Sequence, residues 1–345
     1  GRVAVAQADH AGAEGGAQPV FHLQRAQQPE QRIVGGRFRH DLHRLIAVPD
    51  AGADQDHDAF RNNGLSLNLS HRVNERLDLG LSLLEQRGEA EFDNDFGGAN
   101  PYQDFQISSQ ALYADAQLNE RWNSRLELGH SENRYQTRYD DNHSSRHNYT
   151  YRDSLSWLNT LELNERHFLL VGADWLEDRL HSNNDYSKDS RWNRGLLLQH
   201  RYQGERFSTE LGARNDRNQQ FGSHDTFNAA LTWHLDGDND LVLSYATGFR
   251  APSFNDLYYP YYGNPALRPE ESENLNLGLS GEHGAWYWTF DLYENRVDDL
   301  VSYDASTALP GNIDRARLRG AELGVSGRIA GWDVSAQYSH VDPRN

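Results

Sequence analysis

Residues 245–281 read YATGFRAPSFNDLYYPYYGNPALRPEESENLNLGLSG, and their alternation of order and interruption decides the fold class. An apolar–polar alternation, Leu241-Val242-Leu243-Ser244-Tyr245, runs into an Arg-Ala-Pro turn. A long aromatic loop, a Gly-Asn-Pro turn and a Pro-Glu-Glu-Ser run then lead into a second alternating strand around Leu275-Leu277-Leu279. Proline fixes φ and cannot donate to a ladder, so Pro252, Pro265 and Pro269 hold the loop out of the sheet on either side.

The same period of two recurs along the chain. Leu65, Leu67 and Leu69 alternate with Ser66, Asn68 and Ser70, and Leu77, Leu79, Leu81 and Leu83 with Asp78, Gly80 and Ser82. It returns at Phe207-Thr209-Leu211, Ala229-Leu231-Trp233, Trp286-Trp288-Phe290-Leu292 and Trp332-Val334-Ala336-Tyr338. Short turns such as 73–76, 164–167 and 236–239 alternate with long polar segments at 86–106, 132–150 and 178–192. Tight turns on one side and long loops on the other, with Trp122, Trp157, Trp175, Trp233, Trp286 and Trp332 near strand ends, predict an all-β, antiparallel transmembrane β-barrel. A soluble β-sandwich would instead bury those tryptophans in a core, and long loops at every second connection argue against it.

Composition narrows the alternatives. With 37% hydrophobic residues, no apolar run reaches the ~18 residues of a spanning helix. Strands need an apolar residue only at every second position, so the low hydropathy permits a membrane barrel as readily as an acidic soluble protein. Zero Cys excludes disulfides, thiolate metal sites and a cysteine nucleophile. A net charge of −18 argues against a nucleic-acid partner, which wants a basic face. Residues 1–52 hold six Arg against five acids, so the negative charge belongs to the remainder. The first fifty residues also lack Ser, Thr, Asn, Lys, Tyr and Trp and keep no period. They read as a linker or as translation from a shifted frame, distinct from a barrel over 53–345.

Three further segments give the pattern a family likeness. Arg214–Thr226 (RNDRNQQFGSHDT), Asn295–Val301 (NRVDDLV) and Asn312–Glu322 (NIDRARLRGAE), with the 245–281 stretch, resemble the barrel of TonB-dependent outer-membrane transporters, and most of all its cobalamin receptors. The likeness covers roughly residues 53–345. It implies a multi-pass barrel in the outer membrane, surrounded by lipid, that captures cobalamin or a related corrinoid and is driven by TonB and the inner-membrane motor without covalent chemistry. It also implies that the plug and the closing strands lie outside this chain, leaving an incomplete, open wall of roughly fifteen strands. A siderophore receptor shares the Arg-Ala-Pro and Gly-Asn-Pro segments and is the alternative within the class. A calcium-binding β-protein that transports nothing is the alternative outside it.

Two constellations carry candidate chemistry. Asp54, Asp56 and Asp58 alternate in ADQDHDAF, and Asp93, Asp95 and Asp104 follow in the next long loop. The hairpin 64–85 returns the chain, so both groups are expected at one end, where gathered carboxylates suit Ca²⁺ and its 6–8 oxygen ligands. The resemblance implies a structural, loop-ordering calcium ion on Asp56, Asp58, Asp93 and Asp104, with Asp50 or Asp54 as a further ligand. Phe92 stands where the family has a tyrosine. The second constellation is the loop from Phe254 to Tyr262, where Tyr258, Tyr259, Tyr261 and Tyr262 offer flat faces with polar tips to a corrinoid; Phe92 and Asn94 complete the expected binding set. Packing against neighbouring loops is the competing expectation for these tyrosines. His130, His143, His147 and His181 fall on different predicted loops without an HExxH pattern and read as surface residues. A hydrolase would have to be assembled from His224-Asp225 and Asp256, and no GxSxG, P-loop or GxGxxG motif is present, so an enzyme is not expected.

Overall fold

The computed structural model describes residues 60–92, 101–139, 144–236 and 238–344. Within them the chain forms fourteen strands: β1 (Phe60–Asn74), β2 (Leu77–Glu91), β3 (Tyr102–Asn119), β4 (Trp122–Tyr139), β5 (Ser144–Asn164), β6 (His167–Ser182) and β7 (Ser190–Gln203) make the first half. β8 (Phe207–Asn218), β9 (Gly222–His234), β10 (Asn239–Arg250), β11 (Glu270–His283), β12 (Trp286–Asp304), β13 (Leu309–Ile329) and β14 (Trp332–Arg344) make the second. A single five-residue helix, α1 (Phe254–Tyr258), interrupts them. Each strand pairs antiparallel with the next, in strict sequence order, giving one 14-stranded sheet whose outer strands β1 and β14 are not joined.

The register explains why the apolar residues alternate. Leu231 pairs with Leu243, Leu243 with Leu277, Leu277 with Leu292 and Leu292 with Ala321. On the neighbouring rung Phe290 pairs with Leu323 and Leu323 with Tyr338. All of these share one face, and the leucines on it stay 41–48% exposed. A single-residue slip in any ladder would turn its leucines to the other side, so the apolar band fixes register across the whole sheet. The opposite, inner face carries the polar partners; Ser82 donates to Asn68 at 2.8 Å, for example. The apolar band is therefore the lipid-facing surface of a barrel wall, and no helix of the described residues is long and apolar enough to span a membrane.

Four of the short connections share one device. Asn74, Asn119 and Asn164 each stand two residues before an arginine whose backbone N–H their side-chain oxygen accepts, at 2.8, 2.9 and 3.0 Å. Asp236 does the same for the N–H of Asp238 at 3.0 Å. Such side chains mimic a backbone turn and reverse the chain tightly. Trp122 and Trp233 flank two of these turns, and Trp286 and Trp332 follow the turns at 284–285 and 330–331 at the same end, marking that edge of the band as one interface, while Trp175 lies toward the other end.

At the opposite end the long polar segments differ from expectation. Residues 86–91, 102–106, 132–139, 144–150 and 178–182 are paired strand, so the connections shrink to 92–101, 140–143 and 183–189. Strands run 12–21 residues where ~9–11 suffice to cross the bilayer. Beyond the lipid the ladder continues as solvated hairpins, and there the apolar alternation that betrays a strand is no longer needed. The atypical segment 1–52 lies outside the described residues, as do Asp56, Asp58, Asp93, Asn94 and His143.

Candidate ligand-binding rim

The connection between β10 and β11 folds back on the wall instead of extending it. Ser253 caps α1: its hydroxyl accepts the Asp256 N–H at 3.1 Å, and the Asp256 carboxylate accepts the Ser253 N–H at 2.9 Å. The turn closes as Gly263 N–H donates to Tyr259 O at 2.7 Å and Asn264 N–H to Asp256 O at 2.7 Å. A Cβ at Gly263 would stand 2.6 Å from the carbonyl carbon of Leu257 and the nitrogen of Tyr258, so only glycine fits there. The closed loop buries Leu257, Tyr258 and Leu267, with Tyr186, Phe221, Phe254 and Val301 packed around them. Among the described residues this is the one cluster of buried apolar side chains, a small core set against the wall.

Polar tethers fix the loop to the inner face. Arg191 Nη1 donates to Pro252 O at 2.9 Å. Arg250 and Glu270 form a two-pronged pair, with Nε to Oε2 at 2.5 Å, and Glu270 Oε1 also accepts the Val301 N–H at 2.9 Å. Arg268 Nε donates to Asp299 Oδ2 at 3.0 Å, and that guanidinium holds the Asp299 carboxyl below its usual range. Asn312 binds backbone on both sides, accepting the Arg268 N–H at 2.9 Å and donating to Arg268 O at 3.0 Å and Asp299 O at 2.6 Å. By strand parity Arg191, Arg250, Glu270 and Val301 all belong to the inner face.

Beneath the loop, the Arg214–Thr226 segment acquires a structural meaning. Arg214, Asp216 and Asn218 alternate in β8 and so share the inner face. Arg214 reaches across β7 to Asp174 on β6 (Nη1–Oδ2 2.7 Å, Nη2–Oδ1 2.9 Å) while also gripping Asp216 (Nε–Oδ2 2.7 Å, Nη2–Oδ1 2.8 Å). The space it crosses exists because residue 195 is glycine: a Cβ there would lie 2.0 Å from Arg214 Nη2. Asn193 donates to Asp216 at 2.7 Å, and Asn218 Oδ1 accepts the N–H groups of Gln220 and Phe221 at 3.0 and 3.2 Å. Phe221 then packs on the Leu257 core, so the network links three strands to the loop.

The four tyrosines singled out by sequence occupy different environments. Tyr258 is buried in the core, with the Lys188 ammonium 5.5 Å from its ring centre. Tyr259 stands edge-on to both Tyr186 and Tyr262, at 5.8 and 6.4 Å. Tyr262 is parallel to Tyr303 within 7° at 6.2 Å, and Tyr261 projects fully into solvent at φ 66°. Tyr303, at the distal end of β12, joins this surface without any sequence signal of its own. Phe92 lies at the end of β2, its N–H bonded to Pro101 O at 3.1 Å.

Of the expected metal ligands only Asp104 falls within the described residues. It sits on the outward face of β3 opposite Glu89 and Gln136 and pairs with Arg138 (Nη2–Oδ2 2.8 Å). An open polar cleft of about 400 Å³ is lined by Glu89, Glu91, Tyr102, Asp104 and Arg138. The start of β1 pairs Phe60 with Ala90, and the end of β2 pairs Glu91 with Tyr102, so both acidic segments attach to the same end of the sheet. Among the described residues no three His, Cys, Asp or Glu side chains are grouped to hold a metal.

The three described histidines of the four singled out lie on strands and not on separate loops as the sequence suggested. His130 on β4 binds Asp153 at 2.6 Å and Glu132 at 3.2 Å, and His147 and His181 lie 5.6 Å apart on adjacent strands. Extension of the hairpins beyond the lipid brings them onto paired strands. The hydrolase candidates are otherwise occupied: His224 stacks on Phe249 at 3.8 Å, Asp225 accepts from Asn215, and Asp256 caps α1.

A sequential antiparallel wall with a lipid band, tight turns at one end and a docked aromatic loop at the other is matched by a known family. Residues 31–345 fit the family described as TonB dependent receptor-like, beta-barrel. The chain belongs to that family. It is a wall of an outer-membrane TonB-dependent receptor, so the apolar band faces outer-membrane lipid and the short turns face the periplasm. The match begins inside the compositionally atypical segment 1–52. A curated relative, the "Vitamin B12 transporter BtuB" of Photobacterium profundum, is 29% identical over 323 residues, covering 87% of this chain. The chain spans about half, 52%, of that relative's length. Among solved structures, the FrpB iron transporter of Neisseria meningitidis (F5-1 variant) superposes with a TM-score of 0.70 at 14% identity, over 83% of this chain and 53% of that one. The siderophore receptor PirA of Acinetobacter baumannii does so with 0.68 at 14%, over 82% and 53%. At such identities these two establish the shared fold. Members of the family are transporters and receptors.

Proposed function

We propose that the intact protein takes up cobalamin or a related corrinoid through the outer membrane, energised by TonB and the inner-membrane motor. The observation that carries this reading is the 29% identity to a vitamin B12 transporter, sustained over 87% of the chain. The ligand is held at the outer rim by Tyr259, Tyr261 and Tyr262, with Phe92 and Asn94 from the β2–β3 connection and Tyr258 as the buried support. Calcium, bound by Asp56, Asp58, Asp93 and Asp104, orders the outer connections. Two features support the metal: all four are hard oxygen donors of the kind Ca²⁺ takes, and the strand ends they attach to lie together. Arg138 competes with the ion for Asp104.

The test is equilibrium binding of cyanocobalamin to the full-length protein in detergent, with and without EDTA, beside a ferric siderophore chelate. Tight, calcium-dependent cyanocobalamin binding, together with TonB-dependent uptake by cells, is the expected result. Binding of the ferric chelate in its place selects the siderophore reading. Calcium binding with neither ligand retained selects a non-transporting β-protein.

A further inference from the structure

The unabsorbed feature of the rim is an exposed tyrosine surface assembled from a connection and a strand end. Tyr262 belongs to the β10–β11 connection and Tyr303 to the distal end of β12, yet their rings are parallel within 7°. Tyr303 is 57% exposed and Tyr262 38%. Next to them Tyr261 is held at φ 66°, a conformation costly for a bulky residue, with its ring entirely in solvent. The turn holds it there, closed by the N–H groups of Tyr262 and Gly263 on Tyr259 O at 3.1 and 2.7 Å.

The two guanidinium groups that anchor this loop are already paired with carboxylates. Arg250 is neutralised by Glu270 and Arg268 by Asp299, Arg191 is tied to Pro252 O, and Lys188 lies 5.5 Å from the ring centre of Tyr258. Recognition of a polyanionic chelate relies on guanidinium groups that can turn to it. From these observations we infer that Tyr261, Tyr262 and Tyr303 form a contact surface for the flat, uncharged face of a large ligand. Tyr303 is then a specificity-determining residue that favours such a ligand over a polyanionic ferric chelate. The inference rests on the corrinoid reading above and adds to it the residue and the chemical class.

The experiment uses the full-length protein in detergent, with cyanocobalamin and a ferric tris-catecholate chelate as probes. Tyr303→Ala is expected to weaken cyanocobalamin binding about 10-fold, the scale of one aromatic stacking contact with its buried area, while Tyr303→Phe stays within about 2-fold. Heat-stability of the barrel should not change in either variant. Should Tyr303→Ala fold poorly, bound cyanocobalamin should still protect wild-type Tyr303 from nitration. Wild-type binding matched by Tyr303→Ala, or nitration unaffected by ligand, overturns the inference and leaves the corrinoid reading standing. Failure of the wild type to bind cyanocobalamin overturns both, and tight wild-type binding of the tris-catecholate overturns the assigned class.

Discussion

Replacing Arg214 by methionine should destabilise the wall, and the size of the loss follows from the geometry. The guanidinium makes four hydrogen bonds to two carboxylates on strands that do not touch each other. Arg214 and Asp174 side chains are 21% and 24% exposed, but Asp216 is only 5% exposed. Removing the cation leaves Asp216 nearly dry with Asn193 as its remaining donor, and leaves Asp174 facing it across β7. Breaking a fully buried pair costs about 3–5 kcal/mol; the partial exposure here brings the expectation to roughly 2–3 kcal/mol. Methionine fills the space without adding a polar group, so the loss reports charge and hydrogen bonding.

The assay is urea unfolding of the full-length protein from detergent, run for Arg214→Met, Asp174→Asn and the double variant. Because Asp174 and Arg214 touch, the cycle should give a coupling above about 1 kcal/mol. A wild-type midpoint for Arg214→Met, or additive single losses, would refute the account of the network as a clamp over Gly195. Gly195→Val gives an independent check: its Cβ would intrude 2.0 Å from Nη2 and 2.7 Å from Asp174 Oδ2, so it should cost a similar amount with every charge retained.

Other expectations follow from the same coordinates. Leu243→Arg, in mid-band between Leu231 and Leu277, should cost about 2–4 kcal/mol and reduce assembled, heat-modifiable protein, whereas Ser244→Arg on the inner face should assemble normally. Gly263→Ala should release the loop, read as faster protease cleavage within 251–269 with an unchanged wall. Arg138→Gln should strengthen calcium binding by freeing Asp104; unchanged or weaker affinity, measured by calorimetry, speaks against Asp104 as a ligand. The Arg268–Asp299 tether has a pH sign. Its carboxyl is depressed in the folded state, so its contribution is complete above the unfolded value near ~4 and is lost as pH falls through the lower folded value. Protease sensitivity of the loop should rise across that acid window in the wild type, and Asp299→Asn should show it at neutral pH.

The wall was legible in sequence because lipid imposes a rule on every second residue. Leu65, Leu67 and Leu69, or Trp286, Trp288 and Phe290, announce their strands since an outward polar residue there would lose its hydration. The Asn-Glu-Arg turns were legible for a local reason, their side-chain oxygen needing only the N–H two residues on. Where the lipid ends the rule lapses. Residues 132–139 and 144–150 are as firmly paired as any strand, but water accepts either face, and the sequence there reads as loop.

The rim was legible only in part, for a different reason. The segment from Phe254 to Tyr262 reads as a loop between prolines, and α1 within it, capped by Ser253 and Asp256, was not anticipated although the cap is a local signal. What the spacing of Tyr258, Tyr259, Tyr261 and Tyr262 does not disclose is which rings turn inward. That choice is made by Leu257, Leu267 and Val301, the last of them more than forty residues along the chain, and by Asn312 bridging Arg268 and Asp299. Arg214 and Asp174 likewise meet only because the β6–β7 and β7–β8 registers place Gly195 between them. Residues that touch ligand in such a receptor are therefore set by long-range register. A tyrosine with no motif around it, Tyr303, shares the exposed surface with Tyr262, while the motif-borne Tyr258 serves as its foundation.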